Sequence, residues 1–103
     1  MADGGPTTEV IDSPLRQRFE LVVGGNAAGF AQYRRKDGVI TFLHTVVYQD
    51  FEGRGLGSRL VHDSLEAARA EGLTVVPMCP FFAAYIRRHP EFADLIDASF
   101  KRA

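Results

Sequence analysis

Residues 52–58 read Glu52-Gly53-Arg54-Gly55-Leu56-Gly57-Ser58, three glycines at alternating positions just ahead of a run with helical periodicity. Without Cβ atoms, such a segment lets a ligand approach the backbone closely. The first N–H groups of the following helix have no intrahelical acceptors and carry the positive end of its dipole. A phosphate or pyrophosphate suits that geometry, and Arg54 and Arg59 are placed to add charge-assisted bonds. Two familiar nucleotide loops are excluded. No third glycine completes Gly-x-Gly-x-x-Gly, and no lysine supplies Gly-Lys-Ser/Thr. On glycine spacing alone, a plain turn before a helix explains the segment as well as a phosphate cradle does.

Three hairpin-forming strands are expected to precede this loop. Arg18–Val23 ends at Gly24-Gly25-Asn26, and 28–35 ends at Lys36-Asp37-Gly38, both turn signals. Val39–Val47 is rich in β-branched and aromatic residues, and strict alternation puts Ile40, Phe42, His44, Val46 and Tyr48 on one face. Both faces are mostly apolar, so the strand is expected to be central and covered on each side. After the loop, Leu56, Leu60, Val61, Leu65 and Ala68 recur at helical spacing. Arg59 and Asp63, and His62 and Glu66, stand four apart on the wet side, and Gly72 is placed to cap the helix end.

A strand over 73–79 follows, interrupted by Pro77 and stopped by Pro80, then a short helix over 81–88 and a helical stretch over 91–100. Proline cannot donate to a sheet ladder. The strand over 73–79 and its parallel neighbour are therefore expected to part near Pro77 and Pro80, opening a slot beside the glycine loop. A ligand with a pyrophosphate and an amide-bearing arm fits, and coenzyme A is such a ligand. The expected fold is mixed α/β: an antiparallel meander, a right-handed strand–helix–strand crossover, and short C-terminal helices. Residues 1–14 are expected to form a flexible tail with a short strand within it, and 15–103 a single domain.

Composition sets the outer bounds. At 103 residues, 46% hydrophobic and 24% charged, the chain matches one globular domain rather than two. A net charge of −1 argues against nucleic acid or an anionic membrane as the main partner. No apolar run approaches the ~20 residues of a membrane span, and the first residues lack the features of a signal peptide. The single cysteine, Cys79, excludes an intrachain disulfide and suits a reducing cytoplasm.

Taken together, these residues resemble the GNAT superfamily of acyl-CoA-dependent N-acyltransferases. That family's signature, Gln/Arg-x-x-Gly-x-Gly/Ala, lies between its fourth strand and the next helix. Here it reads Glu52-Gly53-Arg54-Gly55-Leu56-Gly57. His44-Thr45-Val46-Val47, Pro77-Met78-Cys79-Pro80-Phe81 and Tyr85-Ile86-Arg87-Arg88-His89-Pro90-Glu91-Phe92 are similar to the family's minimal single-domain branch. The likeness covers about residues 18–95. Two positions depart from the pattern. Glu52 stands where Gln or Arg is usual, leaving the backbone amides to cradle the phosphates. Val46 stands where relatives of this branch often carry an acid, which rules out a carboxylate base there.

The resemblance implies an acetyl-CoA-dependent N-acetyltransferase that needs no metal. Its cofactor site would comprise Val47, Gly53, Arg54, Gly55, Leu56, Gly57 and Ser58, with backbone N–H groups near Val47 polarising the thioester carbonyl. Family members commonly protonate the leaving thiolate with a tyrosine on the helix after the fifth strand, and Tyr85 occupies that place. Cys79, ahead of a helix start that favours thiolates, reads either as a nucleophile for the acetyl group or as a small buried hydrophobe. His44 reads as a base or as a satisfied core histidine. The acceptor is an amine, with a peptide or protein amine expected because so small a domain has little material for a closed pocket. The rival expectation is a non-catalytic CoA-binding or interaction module. A monomer or small homo-oligomer is expected.

Overall fold

In a computed structural model, which describes residues 7–101, the chain runs β1 (Thr8–Ser13), a 3-10 turn (Pro14–Arg16), β2 (Arg18–Val23), β3 (Asn26–Lys36), β4 (Val39–Val47) and a second 3-10 turn (Gln49–Phe51). It continues through α1 (Leu56–Ala70), β5 (Thr74–Pro77), α2 (Pro80–Arg88), a 3-10 stretch (Pro90–Leu95) and α3 (Ala98–Lys101). The five strands form one sheet in chain order. Pairing is antiparallel from β1 to β4, and β4–β5 is parallel across the α1 crossover. This is the expected mixed α/β architecture.

The turns explain the strand ends. Gly24 and Gly25, and Asp37 and Gly38, all have positive φ, as the tight hairpin turns that match strand twist require. Gly72 is also left-handed (φ 71°) just beyond the end of α1, as expected of a helix stop. The short strand expected within residues 1–14 is present as Thr8–Ser13, a full edge strand paired with β2. The rest of that expectation, on 1–6, falls outside the described residues. The C-terminal stretch is not one helix. Ile96 bridges to Val75 and the Asp97 N–H donates to the Val75 carbonyl (2.9 Å), so the chain is held extended along β5 between two helical pieces.

Both α1 and α2 pack on one sheet face. Leu60, Val61 and Leu65 of α1 are buried against it, and Phe82 of α2 stacks on Phe42 of β4 with ring centroids 4.0 Å apart. Ser64, buried in the α1 stripe, donates to the Leu60 carbonyl (2.7 Å) and so leaves no orphaned hydroxyl.

Two expectations about β4 are corrected here. Its second face is not covered: among the described residues neither α1 nor α2 reaches it, and Val46 and Tyr48 stand 37% and 38% exposed. Nor do Ile40, Phe42, His44, Val46 and Tyr48 share a face. Gln32 pairs with His44 while Tyr33 pairs with Phe42, so Leu43 is an extra residue in β4. This bulge reverses the alternation beyond it. Thr45 and Val47, opposite Ala31 and Gly29, take the helix face, and His44 and Val46 turn to the open face.

Candidate functional site

The parallel β4–β5 ladder ends at Phe42–Pro77. Pro77 has no N–H to continue it, and the Met78 N–H folds back onto the Val76 carbonyl (3.1 Å). One last bond, from the Cys79 N–H to the Phe42 carbonyl (2.9 Å), closes the end of the seam. Beyond it the two strands part. The Tyr48 N–H donates to the Ala28 carbonyl on β3 (2.8 Å). Since backbone groups alternate sides along a strand, Thr45 and Val47 direct theirs toward the side β5 has left. The slot expected between these strands is present, edged by unladdered backbone.

At its helix-face end the slot meets the N-terminus of α1. A pocket of about 330 Å³ is lined by Val47 on β4, Phe51, Glu52, Gly53, Gly55, Leu56, Gly57 and Ser58 on the loop and helix start, and Phe81 on α2. Gly55, the residue capping α1, has φ 74°, a conformation that costs other residues roughly 1–2 kcal/mol. No side chain caps this helix start and no acid lies in its first turn. Its N–H groups are therefore open toward the pocket. Gly57 is required for a different reason. A Cβ there would lie 3.0 Å from the Phe81 ring and 3.6 Å from Val47 Cγ2. The donor set at this helix start is backbone and uncapped.

Neither Arg54 nor Arg59 lines this pocket. Arg54 donates to the Asp50 carbonyl (3.4 Å) and lies over the Phe51 ring, while Arg59 holds Asp63 (2.7 Å) and the Thr8 carbonyl (3.1 Å). Glu52 does line the pocket, beside the uncapped amides of the helix start.

Cys79 is buried at the head of α2, and its Sγ lies 3.2 Å from the Thr45 hydroxyl on the facing strand. The pair spans the slot just past the end of the ladder. Thr45 was missed by sequence reasoning because only the bulge brings it to this face. Phe81 and Phe51 were missed too, although an aromatic directly after Pro80 at a helix start was a visible signal.

The structure does not bring the other two candidates to Cys79. His44 is exposed on the opposite sheet face, turned there by the bulge. Tyr85 packs into the seam between α1, α2 and the 3-10 stretch, its ring stacked on His89 (centroids 4.0 Å) and tilted against Phe92. Burial pushes its phenol above the ordinary value, and Glu91, Asp63 and Glu66 add to the shift. Those surroundings hold the proton on Tyr85, and none of them lines the glycine pocket.

The family model of the GCN5-related N-acetyl-transferases matches residues 18–95, which includes the glycine loop, the slot and α2. The chain belongs to this family. It is accordingly a GNAT N-acetyltransferase domain. A GCN5-like protein from Staphylococcus aureus, known from a solution structure, superposes with a TM-score of 0.65 at 24% identity. The match covers 86% of this chain and 87% of that one and shows a shared fold. No curated protein matches in sequence.

Proposed function

We propose that this GNAT domain uses acetyl-CoA to acetylate a primary amine, with a peptide or protein amine as the expected acceptor. One observation carries the reading. The uncapped glycine pocket opens directly onto the slot where Thr45 and Val47 have no partner on the β5 side. A pyrophosphate on the amides of 53–58 would send the pantetheine arm along β4, its amides meeting backbone groups that otherwise have no ladder. The thioester end then reaches the Thr45–Cys79 pair, where the Val47 amide is available to polarise the carbonyl. Burial and the Thr45 hydroxyl fix the Cys79 thiol in place beside the acyl group.

Isothermal calorimetry with acetyl-CoA, CoA and ADP tests the cofactor, and thiol release in the presence of amines tests the transfer. Binding of both CoA forms well above ADP, with amine-dependent thiol release, is the expected result. Failure of acetyl-CoA to bind at millimolar concentration would remove the reading.

A second reading, a CoA-binding module without turnover, is favoured by Val46 in place of a carboxylate and by the remote position of Tyr85. Binding without amine-dependent thiol release would establish it.

A further inference from the structure

Among the described residues, one edge of the sheet has chain laid along it and the other has none. Beside β5, Ile96 bridges to Val75 and the Asp97 N–H donates to the Val75 carbonyl (2.9 Å). At the outer edge of β1 only a side chain arrives, Arg59 donating to the Thr8 carbonyl (3.1 Å). The Gly24 N–H donates to the Thr7 carbonyl (2.8 Å), so the odd-numbered residues of β1 turn their backbone groups toward β2. Thr8, Val10 and Asp12 therefore direct theirs outward. The N–H and C=O of Val10 and Asp12 have no backbone partner among the described residues, and such an edge is a template for another strand. Between them Ile11, opposite Glu20 on the open sheet face, is 47% exposed.

We propose that β1 pairs with β1 of a second copy of this chain, antiparallel about a two-fold axis at Ile11, joining two sheets into one. Outward-facing residues must lie opposite each other, which leaves few registers. An axis at Glu9 or at Asp12 sets a carboxylate against its own copy. An axis at Val10 makes Asp12 compete with Arg59 for the Thr8 carbonyl and sets Glu9 against an isoleucine. With the axis at Ile11, Val10 and the partner's Asp12 exchange N–H···O bonds, and symmetry repeats the pair. Thr8, whose carbonyl Arg59 already fills, falls opposite the partner's Pro14, which has no N–H to offer. Ile11 meets its own copy across the axis. Charge selects the same register. Glu9 is exposed and carries no ion pair among the described residues. It comes to lie opposite the partner's Ser13, and the residue paired with Ser13 on β2 is Arg18. Arg16 and Arg18 share a single Glu20 oxygen (3.4 and 3.0 Å), so that cluster has one positive charge in excess for Glu9 to meet. The interface lies at the opposite edge of the sheet from the β4–β5 slot. One strand edge buries little area, so the dimer is weak and forms with rising concentration.

Sedimentation equilibrium from micromolar to millimolar protein reads the dimer, and oxidised cysteine variants read its register. The wild type should dimerise across that range. Ile11→Lys, which puts a charge at the centre of the edge, should weaken the dimer at least about tenfold. Glu9→Arg should weaken it about threefold or more, with the loss largest at low salt. Ile11→Cys should give a disulfide-linked dimer, because non-bonded antiparallel partners lie about 4.5 Å apart at Cα, within disulfide reach. Val10→Cys should not, and the wild type, whose one cysteine is buried, is the control. At millimolar concentration, hydrogen exchange of the Val10 and Asp12 amides should be slower in the wild type than in Ile11→Lys. A wild type that stays monomeric at millimolar concentration overturns the proposal. So does a dimer that Ile11→Lys leaves intact, or crosslinking of Val10→Cys in preference to Ile11→Cys. Equal protection of the two amides in the wild type and Ile11→Lys also overturns it, since another part of the same chain would then occupy the edge. These readouts need no cofactor, so they stand apart from the acetyl-CoA reading.

Discussion

Gly57→Ala separates what the glycine loop contributes to folding from what it contributes to binding. Gly57 lies in the first turn of α1 with ordinary helical backbone, so alanine gains about 1 kcal/mol of helix propensity. Against this, the new Cβ would sit 3.0 and 3.1 Å from two atoms of the Phe81 ring, where ordinary contact begins at 3.4 Å. The ring must retreat by a few tenths of an ångström, and being 39% exposed it can do so at a cost of the same order. Stability in urea should therefore change by no more than about 1 kcal/mol. Binding should not be spared. The methyl group enters the pocket beside the helix amides, and the displaced ring narrows it at Val47. A loss of about 1–3 kcal/mol, roughly ten- to a hundredfold in acetyl-CoA affinity, follows from keeping a phosphate off its donors. Adding Phe81→Ala should remove the clash with the ring without restoring the amide approach, so affinity should recover only in part. Wild-type affinity for acetyl-CoA in Gly57→Ala, measured by calorimetry, would refute the placement of the pyrophosphate on this turn.

Glu52→Gln should tighten acetyl-CoA binding by about two- to fivefold at low salt, by removing a carboxylate from the pocket proposed for the pyrophosphate, and the gain should shrink as salt is added. Cys79→Ala should leave acetyl-CoA binding within about threefold while lowering turnover at least about tenfold; stopped-flow thiol release would read this, and unchanged turnover would reduce the thiol to core packing. Tyr33 donates to Asp12 (2.5 Å), and burial together with that carboxylate pushes its phenol up to about 12. Because the folded value lies above that of a free phenol, the stabilisation is complete below pH 10 and is lost as pH rises from 10 through 12. Urea titrations across that range should show a decline of about 2–3 kcal/mol in the wild type, much reduced in Tyr33→Phe.

How far the sequence could be read depended on whether a local signal existed. The bounds of β2 and β4 were legible because Gly24-Gly25 and Asp37-Gly38 demand positive φ and so mark the hairpins. The glycine loop was legible as a helix start because the periodicity of Leu56, Leu60, Val61 and Leu65 begins there. The bulge at Leu43 had no such signal. In a strand apolar on both faces, a one-residue shift exchanges one apolar set for another, and the pattern cannot report it. That residue decides the site, since it brings Thr45 to Cys79 and sends His44 away. Tyr85 shows the same limit in a helix. The resemblance put it on the helix after the fifth strand, but only the path of the 3-10 stretch, which brings His89 and Phe92 against it, determines which surroundings it has.

The site is therefore built from interruptions of the backbone. Pro77 stops one ladder, Leu43 offsets another, and Gly55 and Gly57 leave the head of α1 bare. Each interruption frees N–H or C=O groups that a folded chain would ordinarily pair. The nearby charged side chains are either engaged elsewhere, as Arg54 and Arg59 are, or of the wrong sign, as Glu52 is. A ligand recognised this way must bring its own hydrogen-bonding amides and its own charge. Cofactor affinity should accordingly depend more on Gly55 and Gly57 than on either arginine. Arg54→Ala and Arg59→Ala should each weaken acetyl-CoA binding by less than about threefold, the range expected of exposed charges acting at a distance. A larger loss in either variant would show that its guanidinium leaves its present partners to hold phosphate.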